Sequence, residues 1–111
     1  MKTTKEMTTA IDNLYEVMKA SYNRFMKGDD DISAEMREEF AASVSHAVGN
    51  KYIAIRTGGG AHSFIVNTDK DKKFAYGDIL KAAGHKAPAR NFARGNIFVN
   101  EDLTKIAWTG A

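Results

Sequence analysis

Apolar residues recur at helical spacing through the first half of the chain and at strand spacing through the second. Met7, Ile11, Leu14, Met18, Tyr22 and Phe25 follow one another at steps of four, three, four, four and three, which lines one side of a 3.6-period helix. Thr3 and Glu6 have capping-box spacing at its start, and Gly28 stands at its end. A second stripe, Met36, Phe40, Val44 and Val48, predicts another helix, capped by Ser33 with Glu35 in its first turn and stopped at Gly49 and Asn50. Two helices with so short a connection predict an antiparallel pair over residues 1–50.

From Lys51 the period falls to two. Tyr52, Ala54 and Arg56 alternate with Ile53, Ile55 and Thr57, the pattern of a half-buried strand. Gly58, Gly59 and Gly60 interrupt it, and residues 61–67 read as a second strand with His62, Phe64 and Val66 opposite Ser63 and Ile65. A polar turn at 67–73 leads to a short predicted helix from Asp78 through Ala83. Pro88 forces an extended approach, so 85–94 reads as an ordered loop, and 97–100 and 103–108 as two closing strands. The prediction is a single α+β domain over 1–111. It has an N-terminal αα-hairpin, then a β-β-α-β-β unit at 51–111 with a mainly antiparallel four-stranded sheet. Leu14, Met18, Phe25, Phe40, Ile53, Ile55, Phe64, Ile79, Leu80, Ile97 and Trp108 are expected in or near its core. Met7, Tyr15, Val17, Tyr22 and Met26 widen the apolar surface of the first helix, which favours two-sided burial or a homodimer through the N-terminal helices.

Composition narrows the classes. With 43% apolar and 27% charged residues in 111, one modest core is expected. No apolar run nears the roughly 20 residues that span a bilayer, and the opening residues are too polar for a secretory signal, so the expected location is the cytoplasm. The absence of cysteine removes disulfides, thiolate catalysis and cysteine-based metal sites.

Charge is uneven. Residues 1–50 carry six Lys and Arg against nine Asp and Glu, whereas residues 51–111 carry ten against five. Between 70 and 94 seven cations meet only Asp71 and Asp78, and Phe74, Tyr76 and Phe92 are interleaved with them. Cations for phosphates beside aromatic faces for bases are the needs of a nucleic-acid surface. The competing reading makes the aromatics core and the lysines a solvated rim. Lys73, Lys86, Arg90, Phe92, Arg94 and Asn96 are the candidate macromolecule- or anion-binding residues. For Arg94 and Asn96 the alternative is that they tie the loop to its own domain.

Other chemical signals are weaker. Gly58 to Gly60 lack a dinucleotide or P-loop pattern and read as a hairpin connection, with a nest of backbone amides for an anion as the alternative. His46, His62 and His85 lie on separate predicted elements, so no metal site is expected. His62 and Ser63, adjacent on a strand, are expected to point to opposite faces and not to form a nucleophile pair. Asp29, Asp30 and Asp31 do not continue into a calcium loop. No catalytic residue and no cofactor is assigned.

GDILKAA at 77–83, KAPA at 86–89 and ARGNIF at 93–98 resemble the core of a group of small proteins encoded by tailed bacteriophages. The resemblance covers about residues 51–111 and leaves the two helices outside it. The group has no settled activity, so it lends no site residue. It implies a small accessory protein in the cytoplasm of an infected bacterium. The expected function is therefore non-enzymatic binding of a host or phage protein or nucleic acid through the basic loop. An oligomeric sink for a small nucleotide, enclosed by the triple glycine and Arg90 or Arg94 of neighbouring subunits, is the alternative.

Overall fold

The long apolar stripe of the first half becomes helix α1, Thr4–Phe25, in a computed structural model that describes residues 4–28, 30–58 and 60–111. Met7, Ile11, Leu14, Met18 and Tyr22 are all buried along its inner side. Thr3 of the expected capping box lies outside the described residues. At the other end Arg37 reaches from the next helix and donates to the carbonyls of Met26 (2.6 Å) and Gly28 (2.9 Å), which closes the exit of α1.

Helix α2, Asp31–Ser43, starts three residues earlier than Ser33 capping would require. Asp30 is the cap: its carboxylate accepts from the Ser33 amide at 3.1 Å. The helix also ends early. Ser43 turns its hydroxyl onto the Phe40 carbonyl, Val44 is extended, and Ser45–Val48 forms strand β1. The predicted helical stripe through Val44 and Val48 is therefore corrected: pairing with the next strand outweighs continued helix for these β-branched residues.

Strands β2, Tyr52–Thr57, and β3, Gly60–Val66, follow as the alternation predicts, with β4, Ile79–Lys81, after a loop. The four strands lie in sequence order in one antiparallel sheet. This is an α+β fold of two helices followed by a four-stranded antiparallel sheet. Two of its strands differ from the expected ones. Residues 79–81 are strand and not helix, because β3 takes one edge of their backbone while 87–95 takes the other. Residues 97–108 hold no long strand; they contain turns and a one-turn helix α3, Asn100–Leu103.

The sheet divides the apolar residues between its faces. Ile53, Ile55, Ile65 and Ile79 meet α1 and Phe40 on one side. Phe64, Val66, Phe74 and Leu80 cluster on the other, roofed by the loops after β3 and β4. Tyr22, Phe40 and Trp108 close the first core with a stacked pair at 4.4 Å and two edge contacts. Phe25 departs from expectation: it is 64% exposed. One further departure is chemical. A register shift between Ile55 and Arg56 leaves His62 unpaired, and its Nδ1 lies 2.8 Å from the Ser63 hydroxyl, contrary to the opposite-face expectation.

Candidate functional site

Asp71 organises the roof of the second core. Its carboxylate accepts from the amides of Lys73 (2.8 Å) and Phe74 (3.0 Å), which folds 67–74 into a tight turn and drops Phe74 onto the sheet. Arg90, 19 residues on, reaches both oxygens of that carboxylate at 3.0 Å and donates to the Tyr52 hydroxyl at 2.5 Å. Its guanidinium lies 4.9 Å from the centre of the Phe74 ring, and Lys73 Nζ donates to the Arg90 carbonyl at 2.7 Å. The Asp71 side chain is only 2% exposed. Hydrogen bonds from Arg90 and then from the Lys73 amide hold the Asp71 carboxyl well below the usual carboxylate range.

Arg90 is thus committed to hydrogen bonds within the chain, although its side chain remains 37% exposed. Asn96 is likewise committed. Its amide nitrogen donates to the Tyr76 carbonyl and Asp78, its carbonyl accepts from the Phe98 amide, and its own backbone amide donates to Asp102. Arg94 stacks on Phe92 at 4.3 Å; Phe92 is 56% exposed, and the Arg94 Nε is buried without a hydrogen-bond partner among the described residues. Lys73 and Lys86 are exposed. Gly58 and Gly60 serve the hairpin between β2 and β3, where Thr57 pairs with Gly60 at φ 124°; Gly59 lies outside the described residues.

What the knot leaves outside is a groove of about 420 Å³. Lys51, Lys70 and Lys72 stand around it with Asn50 and Thr68, and the one carboxylate in its lining among the described residues, Asp71, is already paired with Arg90. The resulting field favours an anion. The run of charges in 70–94 pointed to Lys70 and Lys72. Lys51 lies outside that run, and the pairing of β2 with β3, continued by the Asn67 amide donating to the Lys51 carbonyl, brings it alongside; its signal is its place at the start of an alternating strand.

His62 and Ser63 have the elements of an activated hydroxyl but not the access. His62 Nε2 donates to the Ala107 carbonyl at 2.8 Å, so Nδ1 accepts from the Ser63 hydroxyl. Burial pushes the His62 pKa down, and Ser63 is completely enclosed. No substrate atom can approach Oγ, so the pair serves as a buried strut. Among the described residues, no three His, Asp or Glu side chains cluster as metal ligands, and no helix is long and apolar enough to cross a membrane. The chain matches no family model, no curated protein and no solved structure.

The knot sets an acid-stability prediction. With its pKa depressed in the folded state, Asp71 stabilises fully above its unfolded value of about 3.9, and that contribution is lost as pH falls through and below it. His62, also depressed, costs stability from about pH 6.5 downward, because only the unfolded chain gains the proton. Asp71→Asn is expected to melt several degrees lower at pH 7, since Arg90 loses its counter-charge. The gap from wild type should then narrow as pH falls below about 4, while the His62 decline persists in both. Thermal melts by circular dichroism across pH check this; a constant gap would contradict it.

Proposed function

We propose that this chain is a non-enzymatic accessory protein, of the kind tailed bacteriophages encode, that binds nucleic acid through its lysine-rimmed groove. The observation that carries the reading is the charge balance there: Lys51, Lys70 and Lys72 face solvent, and the only lining carboxylate among the described residues, Asp71, is neutralised from within by Arg90. A polyanion gains from such a surface by releasing its counterions, with no need of a reacting group. The rigid knot beneath the lysines supports them without supplying charge of its own.

Fluorescence anisotropy with labelled oligonucleotides tests this. Lys70→Ala with Lys72→Ala should weaken binding about tenfold or more at low salt, since each removes a favourable charge of order 1 kcal/mol. The plot of log affinity against log salt should become shallower by about 1.4 for two lost single-strand phosphate contacts. Both lysines are exposed, so the melting temperature should stay unchanged. Unaltered affinity in the double variant would sink the reading.

A further inference from the structure

A second groove, about 330 Å³, runs along the outward face of β2 and shares Lys51 with the first. Its floor is apolar: Ala54 stands in register between Ala47 on β1 and Phe64 on β3, with Tyr52 beside it. Two neighbouring alanines leave a shallow slot where larger side chains would fill the sheet surface. The Tyr52 ring is fixed by its hydroxyl on Arg90 and by an edge contact with Phe64 at 6.1 Å. Tyr52 lines this groove and Arg90 the other, so their hydrogen bond forms the ridge between the two.

Cations stand at both ends of the strip. Lys51, whose Nζ lies 5.5 Å from the centre of the Tyr52 ring, is at one and Arg56 at the other, with Lys86 also in the lining. Among the described residues, no carboxylate lines the groove. Arg56 has no ion-pair partner among the described residues, and its buried Nε has no acceptor, although guanidinium offers only donors. Among the described residues the charge of Arg56 is thus left without a counter-charge. The groove also opens toward β1, an edge strand exposed along its whole length, which leaves a chain room to pass.

We infer that this second groove is a base-binding slot for single-stranded nucleic acid, with a base on the half-buried Tyr52 ring and Ala54, the buried Phe64 backing Tyr52 by its edge contact, and phosphates on Lys51, Arg56 and Lys86. The inference rests on the nucleic-acid reading above and narrows it. An inorganic polyanion has no use for an apolar strip between cations, and a duplex keeps its base faces stacked inside. A single strand presents flat faces and phosphates together. Lys51 joins the slot to the Lys70 and Lys72 groove, so the strand continues from one into the other.

Three labelled ligands decide the matter: decathymidylate, an abasic strand of the same length, and a ten-base-pair duplex. Wild type should bind decathymidylate about tenfold more tightly than the abasic strand, the scale of one stacked base. It should also prefer decathymidylate to the duplex. Ala54→Leu, which fills the slot without changing charge, should bring decathymidylate affinity down to the abasic level and leave abasic binding unchanged. Arg56→Ala with Lys86→Ala should flatten the salt dependence by about 1.4. Equal wild-type affinity for the thymidylate and abasic strands overturns the slot whatever the variants do. If wild type binds and only the Lys70 and Lys72 substitutions matter, the slot is wrong and the lysine groove stands. If wild type binds none of the three, both fail.

Discussion

Leu14→Ala is expected to cost about 2–5 kcal/mol, enough to remove a large part of the roughly 5–15 kcal/mol that holds a domain of this size folded. Leu14 is completely buried in the core that α1 shares with the inner face of the sheet. Truncation there removes apolar contact and leaves a cavity that the strands cannot collapse into, because Ile53, Ile55 and Ile65 are held in register from both sides. Phe25→Ala, on the same helix, is the internal control. Its ring is largely exposed and touches only the rim of the cluster at Tyr22 and Trp108, so its loss should cost under about 1 kcal/mol. Urea denaturation of both variants measures this. Equal costs would mean that α1 does not cover the sheet as described.

Lys51→Glu should have the largest effect on binding. Among the described residues Lys51 alone lines both grooves, and it is exposed, so reversing its charge changes the field of both without changing the core. Exchanging an attraction for a repulsion of about 1 kcal/mol each near water gives about 2 kcal/mol, or about thirtyfold in affinity. Lys105→Glu makes the same change in net charge just beyond α3, on a residue that lines neither groove. It should weaken binding only slightly. If the two reversals weaken it equally, net charge and not the grooves governs association.

Much of the fold was legible because long patterns are hard to mistake. The α1 stripe repeats over five turns, and the β2 alternation places Ile53 and Ile55 inward and Tyr52, Ala54 and Arg56 outward, as found. Short segments were misread where local signals conflicted with long-range pairing. Val44 and Val48 continue the helical step of Met36 and Phe40, yet Ser45–Val48 gains a strand partner only in a hairpin that periodicity does not display. Asp78 has the look of a helix cap before Ile79, but its carboxylate accepts from the Ala75 amide and from Asn96. The three residues after it become strand because a segment beyond Pro88 covers their second edge.

The candidate site was legible as a concentration of charge but not as a surface. Nothing in the sequence says that Arg90 closes onto Asp71 and Tyr52, 19 and 38 positions away, because such pairing depends on how the loops roof the sheet. That closure ties up the guanidinium in hydrogen bonds, although its side chain stays 37% exposed, and leaves Lys51, Lys70 and Lys72 as the exposed cations of the groove. Arg56 and Lys51 escaped notice for the opposite reason. They stand at the ends of a strand whose alternation speaks for packing, and only the sheet shows that they bracket an apolar strip.

If this face of the protein gathers phosphates, wild-type binding to decathymidylate weakens steeply as salt rises. Five contacting cations, Lys51, Arg56, Lys70, Lys72 and Lys86, predict that log affinity falls against log salt with a slope of about −3.5. A slope near zero, or no binding at the lowest salt, would contradict the account.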